Sequence, residues 1–176
     1  MTKTLDLGCS IEPRNPYNCE EVYGIDFKNN PERNIYSADL SIEPIPFGDN
    51  EFDAVTAFDF IEHIPRVIYV PKKKFCFVDL MNEIYRVLKI GGEFLSFTPA
   101  YPSVEVFSDP THVNMITEQT FPNYFSGNLT ASIYGFNGNF EIIYQNWHDW
   151  ESWPIQVLPG FQNPGPTHLI TRMKKI

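Results

Sequence analysis

The sequence predicts a doubly wound α/β fold with a mostly parallel sheet and an antiparallel C-terminal edge strand. Short apolar runs bounded by turn residues are typical of strands buried on both faces; they span 4–7, 22–26, 52–58 and 93–98. A helical pattern separates the last two runs, which predicts a right-handed parallel crossover. Two later strand-like segments, 140–147 and 168–173, are joined by a long loop, and we expect them to pair antiparallel at one edge.

The clearest helix covers 77–88, because its apolar residues recur at three- and four-residue steps and therefore share one face. These residues are Phe77, Leu80, Met81, Ile84, Val87 and Leu88. Gly91 and Gly92 supply the expected stop signal. Thr117 is the expected N-cap of a further short helix.

Length and charge favour a single domain, residues 1–176, with a small-molecule partner. Thirteen basic and 22 acidic residues give a net charge of −9. A field of that sign disfavours DNA, RNA and anionic membranes as partners. No stretch approaches the roughly 18 apolar residues of a membrane span, and the N-terminus lacks a signal-peptide pattern, so we expect a cytoplasmic protein. Three cysteines without a CxxC pair predict neither a disulfide framework nor a metal site.

Polar residues and a glycine follow the predicted strands at the points where the strands end. In an open α/β sheet, ligands bind beyond the carboxyl ends of the strands, where the strand order reverses. Asp6 and Gly8 close the first strand, and Gly8 would let the backbone approach a ligand closely. Asp26 closes the second strand, at a distance along the chain that suits an acid binding ribose hydroxyls. Asp39 and Asp59 follow the next two strands.

In order and spacing, these segments resemble the class I S-adenosylmethionine-dependent methyltransferases, in particular a minimal, small-molecule type with a Rossmann-like fold. The sequence at 6–9, DLGC, resembles the loop around the methionine part of the cofactor, and 23–26, YGID, the strand with the ribose-binding acid. The sequence at 38–40, ADL, resembles the segment beside the adenine amino group, and 58–64, FDFIEHI, the segment that closes over the sulfonium. The sequence at 83–92 resembles the helix and turn before the fifth strand.

The resemblance implies S-adenosylmethionine as the cofactor, S-adenosylhomocysteine as the product and a small-molecule acceptor, for which sugar-like compounds are one option. The cofactor-binding residues that it implies are Asp6, Gly8, Cys9, Ser10, Asp26, Phe27, Asp39, Leu40, Phe58 and Asp59.

The first loop departs from the family pattern. Ser10 and Glu12 stand where the family usually has glycines, and the prolines and asparagines of 11–21 predict that the usual first helix is missing or trimmed to a turn. A helix N-terminus that would favour the cofactor carboxylate is then lost. Arg14 is a candidate replacement, because a guanidinium binds a carboxylate bidentately. A solvated surface arginine is the equal alternative.

Methyl transfer is an in-line displacement that depends on alignment and a dry site more than on many catalytic groups. A general base is needed only if the acceptor must lose a proton. His63, after the fourth strand, and His112, in the loop after the fifth, are the candidate catalytic residues. For His63 the alternative is a structural role in packing its loop.

Two other functions remain open at this point. A nicotinamide-dependent oxidoreductase would also use an acid at Asp26, but Gly8 stands alone where a GxGxxG turn would bind the pyrophosphate. A non-catalytic S-adenosylmethionine-binding module is the second alternative, because the first loop is altered.

Overall fold

Seven strands form one sheet in the computed structural model, which describes residues 1–69, 71–148 and 166–176. In chain order the strands are β1 (Lys3–Leu7), β2 (Glu21–Asp26), β3 (Ile35–Ser37), β4 (Phe52–Phe58), β5 (Leu88–Pro99), β6 (Phe140–His148) and β7 (His168–Lys175). Side by side they follow the order β3-β2-β1-β4-β5-β7-β6. The first five strands are parallel, whereas β7 runs antiparallel to β5 and to β6. The predicted mostly parallel α/β fold is confirmed.

The two C-terminal strands pair antiparallel, as expected, but they are arranged differently at the edge. β7 is inserted between β5 and β6, so that β6 is the edge strand. The pairing of β7 with β5 places His168 opposite Pro99, at the carboxyl end of β5. The predicted long loop, 149–165, lies outside the described residues.

The helix between β4 and β5, α1, spans Cys76–Val87 and packs on β5. Its buried face consists of Cys76, Phe77, Val78, Leu80, Met81, Ile84 and Val87. The chain passes directly into β5 at Leu88, so Gly91 and Gly92 do not stop the helix. They lie within β5 where its register with β4 shifts, and Gly91 has a positive φ of 79°. Glycine is favoured at irregular positions of strands as it is at the ends of helices, which explains why the two glycines were interpreted as a stop signal.

The connections between the first strands contain no α-helix in the described part of the chain. Residues 8–20 form turns and bends, which confirms that the usual first helix is missing. After β5 come two short helices, α2 (Glu105–Ser108) and α3 (Thr120–Tyr124). α3 begins two residues later than expected, with Gln119 as its N-cap, because the Thr117 hydroxyl accepts a hydrogen bond from Gln119 N–H in a turn that precedes the helix. No helix in the described ranges has the length and apolar character that crossing a bilayer demands.

The strand order of the sheet reverses between β1 and β4, and buried side chains pack both strands into the core. Leu5 and Leu7 of β1 and Val55 of β4 are fully buried. Under the C-terminal half of the sheet, the rings of Phe125 and Phe136 pack edge to face at 5.1 Å. The carboxyl ends of β1 and β4 therefore emerge side by side from a rigid base.

Candidate active site

The loops after β1 and β4 border a cleft of about 210 Å³ at the point where the strand order reverses. We call it the β1–β4 cleft; it is lined by Gly8, Ile25, Asp26, Phe27, Ala38, Asp39, Leu40, Ser41, Asp59, Phe60, His63 and Ile64. The structure thus brings together six of the predicted cofactor-binding residues, namely Gly8, Asp26, Phe27, Asp39, Leu40 and Asp59.

Gly8 ends β1 and turns the chain toward β2. Its φ is 68°, a left-handed conformation that favours glycine. Its N–H donates to the Ile25 carbonyl at 2.9 Å, which ties the turn to β2. A Cβ at this position would lie 2.4 Å from Cδ2 of Phe60. The backbone conformation and the Phe60 ring therefore both require glycine.

The carboxylate of Asp26 organises the same loop from the end of β2. One oxygen accepts a hydrogen bond from Ser10 N–H at 2.8 Å, and the other accepts one from Phe27 N–H at 2.7 Å. Each carboxylate oxygen has a second lone pair, so Asp26 can still accept hydrogen bonds from a ligand's hydroxyl groups. Asp26 is half-buried and lines the cleft, whereas the adjacent Phe27 ring is exposed.

Asp39 lies on the side of the cleft formed by the loop after β3. Its side chain accepts a hydrogen bond from Ser41 N–H at 3.0 Å, and its own N–H donates to the Glu43 carboxylate at 2.6 Å. This turn leaves Asp39 half-buried while the next residue, Leu40, is buried. Two carboxylates, from β2 and from the loop after β3, thus line one cleft.

Asp6 does not line the cleft, because its carboxylate is buried in the sheet. One oxygen accepts a hydrogen bond from the Thr56 hydroxyl at 2.7 Å, and the other accepts one from Arg14 N–H at 2.9 Å. Burial raises the pKa of the Asp6 carboxyl to about 6, and the hydrogen bonds offset only part of this effect. Asp6 therefore anchors the first loop to the sheet.

Arg14 and Phe58 lie together beside the cleft, and neither lines it. The Arg14 guanidinium is 5.0 Å from the centroid of the Phe58 ring and 3.8 Å from the Asp6 carboxylate. The Arg14 side chain is 31% exposed, so a ligand at the end of β4 can reach it.

Cys9 and Ser10 also lie outside the lining of the cleft. Cys9 is buried, and its sulfur packs on Gly24 so closely that a Cβ there would be 2.4 Å away. Burial, with the nearby carboxylates of Asp6 and Asp26, raises the pKa of the Cys9 thiol to about 12, which keeps it neutral. Ser10 is exposed, and its N–H makes the bond to Asp26.

A larger pocket of about 460 Å³ adjoins the cleft, and Asp59 and His63 line both spaces. We call it the histidine pocket; its lining residues are Asp59, Glu62, His63, Pro99, Glu105, Ser108, Asp109, Pro110, His112 and His168. These described residues include four acids and three histidines but no Lys or Arg. The pocket is therefore electronegative.

The two predicted catalytic histidines meet in this pocket, with ring centroids 4.9 Å apart. The Thr111 hydroxyl donates to Asp109 at 2.6 Å, so it accepts from Nδ1 of His63 at 3.0 Å. Nδ1 of His112 lies 3.2 Å from the Glu105 carbonyl oxygen, which can only accept a hydrogen bond. In their neutral forms both rings therefore carry the proton on Nδ1 and keep a lone pair on Nε2.

Glu62 is a buried carboxyl beside these histidines, and it is only 1% exposed. One oxygen accepts a hydrogen bond from the Thr98 hydroxyl at 2.8 Å, whereas Oε1 has no hydrogen-bond partner among the described residues. Burial raises the pKa of Glu62 to about 8, and the nearby Asp59 and Asp109 carboxylates add to the effect. The sequence placed Glu62 after β4 but gave no sign of its burial.

His168 is a residue of the site that the sequence analysis missed. Its Nε2 lies 3.0 Å from Oδ1 of Asp59, and its ring stacks on Phe97 with centroids 4.6 Å apart. Its position depends on the pairing of β7 with β5. The only signal in the sequence was its place at the start of the last strand.

Comparison with protein families identifies the first half of the chain. Residues 5–96, more than half of the 176, match the family model described as a methyltransferase domain. No curated protein matches the sequence closely enough to count as a relative. The family match decides against the nicotinamide-dependent oxidoreductase.

Solved structures share the fold at low sequence identity. One is a chain of the complex between the Haloferax volcanii Trm112 methyltransferase activator and a methyltransferase; it is 13% identical, with a TM-score of 0.63 over 98% of this chain and 82% of that chain. A SAM-dependent methyltransferase from Archaeoglobus fulgidus is 15% identical, with a TM-score of 0.60 over 99% and 86% of the two chains. The [4+2]-cyclase SpnF is 14% identical, with a TM-score of 0.60 over 99% and 74%.

The residues of the β1–β4 cleft fit the adenosine part of S-adenosylmethionine. Asp26 keeps lone pairs that hydroxyl groups of a ligand could engage, and Asp39 supplies a second carboxylate to the lining of the cleft. The cleft alone is smaller than the roughly 300–1,000 Å³ of a typical ligand pocket, but Asp59 and His63 line both the cleft and the histidine pocket. The chain belongs to the methyltransferase domain family and is an enzyme that uses S-adenosylmethionine as its methyl donor, with S-adenosylhomocysteine as the product.

Proposed function

We propose that the enzyme methylates a small-molecule acceptor, of which a sugar-like compound is one class, in the histidine pocket. The observation that carries this proposal is that the β1–β4 cleft and the histidine pocket share Asp59 and His63. A methyl donor whose adenosine part lies in the cleft would present its reactive end to the pocket. The pocket volume of about 460 Å³ lies within the range of roughly 300–1,000 Å³ for small-molecule sites.

The predicted cofactor-binding residues divide into two groups in this proposal. Asp26, Asp39, Gly8, Phe27, Leu40 and Asp59 contact the cofactor from the lining of the cleft. Asp6, Cys9, Ser10 and Phe58 instead shape the first loop and the end of β4.

Arg14 would bind the carboxylate of the cofactor in place of the missing first helix. Its guanidinium is held over Phe58 at the end of β4, and its side chain is partly exposed. A planar guanidinium is suited to two parallel hydrogen bonds with a carboxylate.

The protein contributes to the reaction mainly by aligning the acceptor with the methyl group, since the bound donor supplies that group in an activated form. Where the acceptor is a hydroxyl, its proton must leave, and His112 or His63 would accept it on Nε2. The hydrogen bonds of both Nδ1 atoms favour that tautomer. The carboxylates of Asp59, Glu105 and Asp109, which line the pocket, favour neutral or cationic acceptors over anionic ones.

A transfer assay tests the acceptor class. The purified enzyme is incubated with methyl-tritiated S-adenosylmethionine and a cell extract that has been divided by ultrafiltration. Label in the low-molecular-mass fraction is the expected result. Label confined to protein or nucleic acid would overturn the small-molecule acceptor.

A further inference from the structure

We propose that Glu62, His63 and His112 bind a divalent transition-metal ion in the histidine pocket. One ligand atom of each residue, a carboxylate oxygen or a ring nitrogen, lies within 4.8 Å of the other two. Such spacing lets three side chains reach one ion after small rotations. The sequence did not indicate this site, since the histidines lie far apart in the chain and the cysteine pattern gave no zinc motif.

The carboxylate of Glu62 needs a partner that the described residues do not provide. The side chain is 1% exposed, and Thr98 engages only Oε2. Oε1 is buried without a hydrogen bond to any described residue, and Glu62 lines the pocket. A buried, unpaired oxygen of an acid is costly, and coordination to a cation removes that cost.

The two histidines are oriented as metal ligands usually are. Such histidines donate their other ring N–H to a carbonyl, a carboxylate or a similar acceptor, which fixes the ring and the tautomer. His63 donates from Nδ1 to the Thr111 hydroxyl, which is in turn bonded to Asp109, and His112 donates from Nδ1 to the Glu105 carbonyl. Each ring is left with Nε2 as its free ligand atom. A bound ion would take the lone pairs on which the proposed general base depends, and the ion itself would then lower the pKa of the acceptor hydroxyl in place of the histidine base.

The field around the three ligands attracts cations. Asp59, Glu105 and Asp109 line the same pocket, and its described lining contains no Lys or Arg to compete for the carboxylates. Two imidazoles with one carboxylate favour a transition metal such as Zn²⁺, Fe²⁺ or Co²⁺ over Mg²⁺ or Ca²⁺, which prefer oxygen ligands.

Three protein ligands would leave coordination positions open for an acceptor bound in the same pocket. An acceptor with two adjacent oxygens, such as a vicinal diol or a hydroxyl beside a carbonyl, would fill them. This part of the inference rests on the proposed function, because it assigns the ion to holding the acceptor. The ion site itself does not depend on methyl transfer.

Metal titration tests the site. The protein is stripped with EDTA, returned to chelator-free buffer and titrated with Zn²⁺ by calorimetry and with Co²⁺ by visible absorption. We expect one ion per chain, with affinity lowered at least about tenfold in E62Q, H63A and H112A. H148A, which removes a histidine of β6 outside the pocket, should bind as the wild type does.

Thermal unfolding and circular dichroism establish that each variant is folded. If E62Q does not fold, H63A and H112A still test the metal site. Both histidine side chains are partly exposed, so we expect these two variants to fold. No saturable binding to the wild type, or equal affinity in the folded variants, would overturn the site. Acetohydroxamate, which binds metals through two oxygens, tests whether the bound ion has open coordination positions. A shift in the visible absorption bands of the Co²⁺-loaded protein on its addition supports open positions, and unchanged bands would refute them.

S-adenosylhomocysteine binding separates this inference from the proposed function. Binding of the product to stripped protein, with no metal binding, overturns the ion site and leaves methyl transfer intact. Metal binding without any product binding leaves the ion site and contradicts the proposed function.

Discussion

Asp26 both shapes the first loop and faces the cleft, so its removal tests the cofactor assignment most directly. We expect D26A to weaken S-adenosylhomocysteine binding by about 1.5–3 kcal/mol, or roughly 10- to 150-fold, as charge-assisted hydrogen bonds typically do. Isothermal calorimetry measures the change. D79A, which removes a partly exposed acid of α1 outside the cleft, is the control. Wild-type affinity in D26A would mean that the ribose lies elsewhere.

His112 faces the histidine pocket and does not line the cleft. H112A should therefore slow methyl transfer by about 100-fold or more and leave S-adenosylhomocysteine affinity nearly unchanged. Single-turnover assays and calorimetry measure the two effects separately. A variant with full turnover would remove His112 from the catalytic residues, and H148A again provides the control.

At the level of single residues, the sequence indicated the strand-end positions but not their surroundings. Gly8, Asp26 and Asp39 lie at or just after the ends of predicted strands. Because the carboxyl ends of parallel strands lie at the same edge of the sheet, this was enough to predict that the three residues come together. The burial of Asp6 and Glu62 and the contact between His168 and Asp59 depend on side chains from distant strands. No local pattern encodes those neighbours.

The first loop is an element without regular structure, and it is held by backbone bonds to Asp6 and Asp26. G8A should destabilise it for two reasons, a left-handed φ and contact of the new Cβ with the Phe60 ring. G91A is a matched control, since Gly91 also has a positive φ, but the nearest atom to a Cβ there is 3.8 Å away.

We expect G91A to lose about 1–2 kcal/mol of unfolding free energy from the backbone conformation alone. G8A should lose more and should also bind S-adenosylhomocysteine more weakly. Urea denaturation and calorimetry measure these quantities. Equal losses in the two variants would show that the Phe60 ring adapts freely to the added methyl group.

Element boundaries were the least accurate part of the sequence analysis. Gly91 and Gly92 suggested a helix end, whereas they serve an irregular stretch of β5, and Thr117 precedes α3 instead of capping it. Glycine and threonine have several local uses with the same sequence signature. By contrast, α1 was predicted to within a residue at each end, because its apolar periodicity spans three turns.

For the whole molecule, the buried Asp6 makes stability depend on pH. Its pKa rises from 3.8 to about 6 on folding, so the folded state resists ionisation of this group, at a cost of about 3 kcal/mol. The associated stability is fully present below about pH 4 and is lost as the pH rises through about 6.

D6N should abolish this dependence, because an amide can accept from Arg14 N–H and donate to the Thr56 hydroxyl. In urea denaturation at pH 4, 5, 6 and 7, the variant should gain stability relative to the wild type by about 3 kcal/mol across the range. D79N controls for loss of a surface charge. A difference that does not vary with pH would contradict the buried-carboxyl assignment.

The strand order was predicted only in outline. Alternation of strands and a helix indicated a parallel sheet, but the insertion of β7 between β5 and β6 follows from packing at the far edge. The segments that were predicted as those two strands pair as expected.

Asp59 lines both spaces, and it is held from three strands. It follows β4, its N–H donates to the Phe97 carbonyl of β5 at 2.9 Å, and its carboxylate meets His168 of β7. A molecule bound in either space would restrain Asp59, and the restraint would pass to β7 through the His168 imidazole. Slower amide hydrogen exchange along Leu169–Lys175 should thus report occupancy, although those residues line neither space.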